Sequence, residues 1–269
     1  MSRTVFITGA SSGIGAATVK LFSKKGWRVA ATMRSPEKSQ ALSELEGVSL
    51  HKLDVTDGAS IKQAVEDAYQ AMGEIDVVVN NAGYGMVGPF EASEPEAVDR
   101  QFAVNVFGLM NVVREFLPKM RNRGSGTIIN ISSVGGRLTF PLYSVYHSTK
   151  FAVEGFSESL QFELEPFGIR VRLIEPGPIK TDFYDRSQDL VTKDGLFVYD
   201  AFVAKAMTNM NEVASTAPGP DIVAHTIYDA AIDRSSRLRY PVNAQAMLSL
   251  RKLLPDAAVF KLVRQIILR

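Results

Sequence analysis

Two polar side chains, Tyr146 and Lys150, lie four residues apart in a segment whose pattern predicts a helix. On a helix this spacing places both on one face, so that a phenol and an ammonium can meet the same reacting atom. A run typical of a buried strand, residues 127–131, ends just before them at Ser132 and Ser133. Open α/β sheets bind their ligands at the carboxyl ends of such strands. A phenol, an ammonium and a hydroxyl at that edge would suit proton transfer to a carbonyl oxygen.

Residue spacing also distinguishes the candidate serine and tyrosine from neighbouring residues of the same type. Ser132 alternates to the other side of an extended strand, so Ser133 is the better candidate for the hydroxyl. Tyr143 is followed four positions later by His147, whereas Tyr146 has a lysine at that distance. We interpret His147 as structural. Because Tyr-x-x-x-Lys spacings occur on many surface helices, the interpretation depends on the elements that would position these side chains.

The composition narrows the possible functions. The chain has 269 residues, no cysteine and three scattered histidines, which excludes disulfides, thiolate catalysis and a cluster of metal ligands. A net charge of +1 gives no sign of nucleic-acid binding. The N-terminus enters a strand pattern at once, without the layout of a signal peptide, and no apolar run reaches membrane-spanning length. We therefore expect a cytoplasmic protein with no metal and no nucleic-acid partner.

A glycine-rich segment follows the first predicted strand, residues 3–8, and precedes an apolar helical pattern. Glycines allow a tight turn and close approach of a phosphate, and the helix behind them offers free N–H groups. This position favours nucleotide binding over a plain turn. The segment consists of Gly9, Ala10, Ser11, Ser12, Gly13, Ile14 and Gly15. Together with Thr8, its Gly-x-x-x-Gly-x-Gly spacing resembles the short-chain dehydrogenase/reductase family.

The residue after the second predicted strand, residues 29–33, indicates which dinucleotide binds. In NAD sites of this architecture an acidic residue at that point holds the ribose 2′-hydroxyl. Here Arg34 follows the strand, and no acidic residue occurs before Glu37. A guanidinium suits a 2′-phosphate, so we predict NADP(H) as the cofactor, with Ser11, Ser12 and Arg34 near the phosphate. The alternative is that Arg34 is a solvated surface arginine.

The resemblance implies roles for residues after the third and fourth predicted strands. Asp54, followed by Val55, would lie beside the adenine ring, although a role as the cap of the next helix is equally open because Thr56 and Asp57 precede that helix. The Asn-Asn-Ala-Gly sequence at 80–83 would run along the cofactor. Buried asparagines equally indicate a structural role, because their amides need hydrogen-bond partners.

Further motifs of the resemblance follow in the same order as in the family. Asn105, in a helical pattern over roughly 95–121, would hold a water of the proton relay, or else bond to neighbouring backbone. Ser133 precedes Tyr146 by thirteen residues, the family's usual interval. The implied catalytic residues are Asn105, Ser133, Tyr146 and Lys150. The implied cofactor-binding residues are Gly9, Ser11, Ser12, Gly13, Ile14, Gly15, Arg34, Asp54, Val55, Asn81, Ala82, Gly83, Tyr146, Lys150, Pro176, Gly177, Ile179 and Thr181.

Strands alternate with helical patterns, which predicts an α/β fold: a single doubly wound Rossmann-type domain with a seven-stranded parallel sheet. Its core would span 1–241. Residues 182–217 have weak periodicity and are predicted to form a loop that acts as a lid. Substrate selectivity is expected there and at Leu138, Phe140, Leu142 and Tyr143. The segment 243–269 is predicted to be a basic amphipathic helical extension that packs on the protein's own body or on a partner subunit, which we favour over contact with a membrane surface.

These features together predict an NADP-dependent oxidoreductase that interconverts a ketone or aldehyde with an alcohol. The tail and the second strand look most like the hydroxysteroid- and retinol-dehydrogenase-like branch, which implies a bulky apolar substrate. The resemblance also implies a homodimer or homotetramer. One alternative is a non-catalytic NADP(H)-sensing protein on the same fold, although such a sensor has no need of all three catalytic side chains. An epimerase or dehydratase on a related fold ranks lower, because those proteins carry a different glycine spacing.

Overall fold

A computed structural model describes residues 2–180 and 188–269 of the chain. The strands in these ranges are β1 (Thr4–Ile7), β2 (Arg28–Met33), β3 (Val48–Lys52), β4 (Val77–Asn80), β5 (Gly85–Val87), β6 (Gly126–Ile131), β7 (Ile169–Pro176), β8 (Gln188–Leu190) and β9 (Arg239–Val242). The α-helices are α1 (Gly13–Lys24), α2 (Gln40–Ser43), α3 (Gly58–Met72), α4 (Pro95–Phe102), α5 (Leu109–Arg123), α6 (Ser144–Leu164), α7 (Asp200–Ser215), α8 (Asp221–Ile232), α9 (Gln245–Leu253) and α10 (Asp256–Ile267).

Seven of the strands form one parallel sheet in the order β3-β2-β1-β4-β6-β7-β9. The chain winds outward in one direction from β1 to β3 and then in the other direction from β4 to β9. This reversal places a crevice at the carboxyl ends of β1 and β4, which is where open sheets of this kind bind ligands. The predicted doubly wound, seven-stranded parallel sheet is confirmed.

The sheet is covered by helices on both faces, which explains why its strands are nearly continuous apolar runs. On one face α3, α5 and α6 pack against Phe6, whose ring lies 4.9 Å from that of Phe116 in an edge-to-face arrangement. On the other face α1 and α8 enclose Phe22, Trp27 and Ile227. The strand ends are therefore fixed from both sides, and the loops that follow them are held at one edge.

The long helix predicted over 95–121 is present as α4 and α5, joined by a π-helical turn at Ala103–Gly108. A π turn adds a residue to the helix and often marks a functional site. Gly108 lies at the end of this turn, where a Cβ would stand 2.8 Å from the carbonyl oxygen of Val55. The turn therefore packs directly on the loop after β3.

The prediction of a loop over 182–217 is wrong for most of the residues in this range that the structure describes. Residues 182–187 lie outside the described residues, but α7 occupies 200–215. Ala206 and Ala214 are its buried residues, and Val203, Met207 and Met210 lie partly buried on the same side of the helix. Just before it, β8 pairs in parallel with β5 in a small second sheet.

The predicted helical extension is present as α9 and α10. One side of each helix is buried, through Leu248 of α9 and Val259 of α10, which pack against Val134 and Leu138 of the loop after β6. The extension therefore packs on the protein's own body, which is one of the two arrangements that its sequence pattern favoured, the other being packing on a partner subunit. No helix within the described ranges is long and apolar enough to cross a bilayer.

Candidate active site

A single cavity of about 1230 Å³ opens at the carboxyl edge of the sheet. The loops after β1, β2, β3, β4, β6 and β7 all contribute to its walls. Tyr146, Lys150 and Ser133, which the sequence spacing selected, line it together. The cavity therefore joins the predicted catalytic side chains to the predicted dinucleotide-binding loops.

Ser133 is placed by the turn that follows β6. Its Oγ accepts a hydrogen bond from the Gly135 N–H at 3.0 Å and lies 3.5 Å from the Pro176 carbonyl oxygen. A contact of 3.5 Å is a weak hydrogen bond, so the hydroxyl proton can be redirected to a substrate oxygen at little cost. Ser132 also contributes to the cavity wall, but it is only 3% exposed, and its Oγ lies 2.7 Å from where a Cβ on Gly136 would stand.

Lys150 approaches the same point from α6, one turn after Tyr146. Its Nζ is 5.7 Å from the centroid of the Tyr146 ring and donates a hydrogen bond to the Ile131 carbonyl at 2.9 Å. Burial lowers the pKa of Lys150 to about 8, and the charge of Glu154 opposes this change. The ammonium is thus held beside the phenol in a site that water reaches poorly, where its charge acts strongly.

Asn105 lies in the π turn and does not line the cavity. Its Nδ2 donates to the Tyr84 carbonyl at 2.9 Å and to Thr149 Oγ1 at 3.1 Å, and its Oδ1 accepts from the Tyr84 N–H. A Cβ on Gly83 would stand 3.2 Å from this Oδ1 and 3.9 Å from Lys150 Nζ. The amide therefore sits directly behind the lysine and bonds to neighbouring backbone; its role in holding a relay water stays a prediction.

The glycine-rich loop has the geometry of a phosphate cradle. Gly9 and Gly13 have φ values of +64° and +50°, which favour glycine. Gly15 lies behind the loop rather than in the cavity, because a Cβ there would stand 2.2 Å from the Gly9 carbonyl oxygen. Ser11, Ser12 and Ile14 line the cavity. The Ser12 side chain does not cap α1, and the first turn of this helix contains no acidic residue. The N–H groups at the start of α1 therefore remain available to a phosphate in the loop.

Asn81 holds this loop to β4. Its Nδ2 donates to the carbonyl oxygens of Thr8 and Gly9, each at 3.0 Å. Thr8 Oγ1 in turn accepts from the N–H groups of Asn81 and Ala82. Asn81, Ala82 and Gly83 also line the cavity. The motif therefore both ties the glycine-rich loop to β4 and faces the space where a ligand would bind.

Two cationic side chains line the end of the cavity beside β2 and β3, where the adenine of a dinucleotide is expected. Arg34 lines it together with Lys38, four residues later in the turn after β2. Sequence reasoning missed Lys38, whose signal was its spacing from Arg34. Asp54 and Val55 also line this end. Asp57, not Asp54, caps α3 by accepting from the N–H groups of Ala59 and Ser60, so the helix-cap interpretation of Asp54 is wrong.

The opposite end is formed by the loop after β7. Pro176, Gly177 and Ile179 line the cavity there, and Thr181 lies outside the described residues. A Cβ on Gly177 would stand 2.2 Å from the Asn243 carbonyl oxygen, so the loop can only pack this closely as glycine. The glycine-rich loop, with Arg34 and Lys38 in the same cavity, fits a dinucleotide.

Beyond the catalytic residues the cavity wall becomes apolar. Leu138, Phe140 and Tyr143 line it as predicted, whereas Leu142 does not: it has a φ of +69° and is buried against Val87. The opposite wall comes from three helices; its α7 residues fall within the segment 182–217 predicted to carry substrate selectivity, whereas sequence reasoning missed the contribution of α9 and α10. It consists of Met210 and Val213 of α7, Met247, Leu250 and Arg251 of α9, and Val259, Leu262, Val263 and Ile266 of α10, with Leu254 between the last two helices.

His147 is structural in its contacts. It is buried, its ring stacks on that of Tyr143 with centroids 5.6 Å apart, and its Nδ1 accepts from the Phe140 N–H at 3.3 Å. Burial lowers the pKa of His147 to about 4, which keeps the ring neutral at physiological pH. Within the described residues there is also no group of histidine, aspartate and glutamate side chains that could hold a metal ion.

Comparison with known proteins identifies the family. Residues 3–190 match the model of the family described as short chain dehydrogenase. The chain is 42% identical over 183 residues to a 3-ketodihydrosphingosine reductase of Bacteroides thetaiotaomicron, covering 68% of this chain and 66% of that protein. The chain belongs to the short-chain dehydrogenase family, and it is an oxidoreductase of the kind that acts on CH–OH and C=O groups.

Solved structures support the same assignment. A short-chain dehydrogenase from Streptomyces avermitilis superposes with a TM-score of 0.84 at 32% identity, covering 98% of this chain and 96% of that one. The enzyme ElxO, solved with NADP bound, superposes with a TM-score of 0.76 at 26% identity, covering 91% of this chain and 100% of that one. Proteins similar to this chain thus bind a nicotinamide dinucleotide.

Proposed function

We propose that this protein is an NADP(H)-dependent oxidoreductase that interconverts a bulky apolar ketone or aldehyde with its alcohol. The observation that carries the proposal is the meeting of Tyr146, Lys150 and Ser133 in one cavity with the glycine-rich loop. A phenol, a buried ammonium and a hydroxyl beside a dinucleotide cradle provide what proton transfer to a carbonyl oxygen needs.

Each of the three side chains has a separate task in this mechanism. When bound, the nicotinamide supplies or accepts the hydride at the carbonyl carbon. Ser133 donates a hydrogen bond to the carbonyl oxygen and orients it. Tyr146 gives its proton to that oxygen during reduction and takes it back during oxidation. Lys150 favours the phenolate by its charge and also holds the ribose next to the nicotinamide.

The preference for NADP(H) over NAD(H) rests on the charges at the adenine end. Arg34 and Lys38 both line that end, and the residue that directly follows β2 is Arg34 rather than an acidic residue. A guanidinium and an ammonium stabilise a 2′-phosphate, whereas a carboxylate at this point would repel it. Ser11 and Ser12 of the glycine-rich loop line the same cavity and would add hydroxyl donors to the phosphate.

The class of substrate rests on the wall formed by α7, α9 and α10. Most of its lining side chains are leucine, isoleucine, valine or methionine, and they line the same cavity as the catalytic groups. Burial of apolar surface drives binding in such a site, so a bulky apolar ketone is favoured over a small polar one. This is also the substrate type of the hydroxysteroid- and retinol-dehydrogenase-like branch that the sequence resembles. The similar reductase from Bacteroides thetaiotaomicron acts, by its name, on a ketone.

A homodimer or homotetramer in the cytoplasm completes the proposal. Phe107 in the π turn and Phe151 and Phe162 on α6 are all about half exposed or more. Large aromatic side chains on two neighbouring helices form the kind of apolar surface that subunit contacts cover.

The proposal is tested by NADPH oxidation with a panel of small ketones, aldehydes, steroids and retinoids, with NADH in parallel. Replacing Tyr146 by Phe removes the proton donor while retaining the ring, so turnover should fall at least about a thousandfold. NADPH affinity, measured by fluorescence titration, should change less than about threefold. Substantial turnover in the variant would contradict the assignment of Tyr146. NADPH binding without turnover of any carbonyl would favour the sensor instead.

A further inference from the structure

A cluster of buried charges lies behind Lys150, on the side away from the cavity. Glu154, one turn later on α6, is 5% exposed, and Glu175 at the end of β7 is 1% exposed. Arg239 of β9 bridges them: its Nε is 3.0 Å from Glu154 Oε2 and 3.3 Å from Glu175 Oε1. None of these residues lines the cavity, and none has a part in the mechanism above.

The turn after β6 packs on the segment of α6 that joins Lys150 to Glu154. A Cβ on Gly136 would stand 2.9 Å from Glu154 Cγ, 3.1 Å from the Lys150 carbonyl oxygen and 2.7 Å from Ser132 Oγ. Glycine at this position therefore allows the strand-end turn to close over the 150–154 segment of α6. Lys150 and Glu154 lie one turn apart on α6 and are only 8% and 5% exposed, so the attraction between their charges is weakly screened.

The Lys150 ammonium needs such a counter-charge. Its one hydrogen bond among the described groups goes to a neutral acceptor, the Ile131 carbonyl. Burial lowers the pKa of Lys150 to about 8, and Glu154 is the charged group that opposes this change. A lysine that loses its proton near physiological pH can no longer favour the Tyr146 phenolate or hold the ribose by its charge.

We propose that Glu154 is a positioning residue for the reaction: its buried carboxylate keeps the Lys150 ammonium charged and in place beside Tyr146. This inference rests on the proposed function. The carboxylate lies one turn from Lys150 on α6 and contacts Arg239 of β9, which also contacts Glu175 of β7. Two further charges complete the surroundings, Glu158 on the next turn of α6 and Arg137, which lies 3.5 Å from Glu175.

The chain offers a matched control in Glu158. Both glutamates lie on α6 and both bind Arg239, Glu158 through Nη2 at 2.6 Å. Glu158 is exposed and two turns from Lys150. Glu154→Gln and Glu158→Gln therefore each remove one carboxylate partner of Arg239, but only the first removes the charge next to the lysine.

The experiment compares two pH profiles, from about pH 6 to 10, for the wild type and both variants. One is kcat/KM for ketone reduction with NADPH, and the other is the Kd of NADPH measured by fluorescence without any substrate. In Glu154→Gln the loss of a negative charge should move the alkaline limb of both profiles to lower pH by about one unit. Glu158→Gln should leave both limbs within about 0.3 pH unit of the wild type.

Two further variants keep the test decisive. Glu154→Asp retains the charge and should keep the wild-type limb, which a purely packing role would not predict. If Glu154→Gln does not fold, Glu154→Met, which has a similar length and no polar atom, should show the same alkaline shift. An unshifted limb in the folded Glu154 variants, or an equal shift in Glu158→Gln, would overturn the proposal. If no ketone is reduced by the wild type, the proposed function fails, while the NADPH titration still decides the role of Glu154.

Discussion

The stability of this protein should depend on pH through Glu175, whose carboxyl group is buried at the end of β7. Its side chain is 1% exposed, and the Arg137 and Arg239 guanidiniums approach Oε1 only to 3.5 and 3.3 Å. Burial raises the pKa of Glu175 from 4.5 to about 7; the neighbouring charge of Glu154 raises it further, and the two arginines oppose the change. Folding therefore favours the protonated form of this carboxyl group.

The size of the effect follows from linkage between proton binding and folding. A pKa that rises from 4.5 in the unfolded chain to about 7 in the folded one costs about 3 kcal/mol once both states are ionised. Below pH 4.5 the carboxyl group is protonated in both states, so it does not reduce the free energy of unfolding. As the pH rises to about 7, the unfolded chain releases its proton while the folded protein retains it, and the free energy of unfolding falls by that amount.

The Glu175→Gln variant isolates the effect of Glu175 ionisation on stability, because the amide has a similar shape and does not titrate. Urea denaturation at several values from about pH 5 to 8 gives the free energy of unfolding of both proteins. The difference, variant minus wild type, should grow by about 2–3 kcal/mol across this range. Glu158→Gln serves as control: the Arg239 guanidinium lowers the pKa of Glu158, so its titration falls below this range and the difference should stay flat. A flat difference for Glu175→Gln as well would refute the reasoning.

Three further predictions concern the cavity and the surface. Arg34→Asp should lower kcat/KM with NADPH by about 10- to 100-fold and change that with NADH only a few-fold, because a charge-assisted contact to the 2′-phosphate is lost; an unchanged NADPH-to-NADH ratio in steady-state kinetics would contradict it. Leu254→Trp fills the apolar part of the cavity and should raise KM for the bulkiest ketones about tenfold while small ketones are affected little; an equal effect on all substrates would place the substrate elsewhere. Size-exclusion chromatography with light scattering should give a dimer or tetramer that Phe151→Ser with Phe162→Ser shifts to smaller species; a wild-type monomer would refute the assembly.

The sheet could be predicted from the sequence because each strand carries its own signal. Runs such as Val77–Val79 are apolar on both faces, which is typical of a strand covered by helices on both sides. The glycine spacing after β1 and the Tyr146–Lys150 pair are likewise local, since four residues on a helix fix a shared face. For this reason three of the four predicted catalytic side chains, all except Asn105, and most of the predicted cofactor-binding residues line one cavity.

Features that depend on distant contacts could not be predicted. Nothing local distinguishes Asp54 from Asp57 as the cap of α3, because both precede the helix and the choice depends on where the backbone turns. Leu142 lies between two residues that line the cavity, Phe140 and Tyr143, yet its positive φ turns it into the core. The bridge from Glu154 to Arg239 joins residues 85 positions apart, and only the pairing of β7 with β9 brings them together.

The apolar wall of the cavity shows why a correct local prediction can still miss a function. The amphipathic pattern of 243–269 correctly indicated helices with one buried face, but a pattern does not say what that face covers. Here part of it closes the cavity opposite the catalytic groups, through residues such as Leu254 and Val263. The catalytic groups lie in the turn after β6 and on α6, whereas this wall lies on α7, α9 and α10, outside the seven-stranded sheet. Substitutions in the wall can therefore change which carbonyl compound is bound without moving Tyr146, Lys150 or the glycine-rich loop.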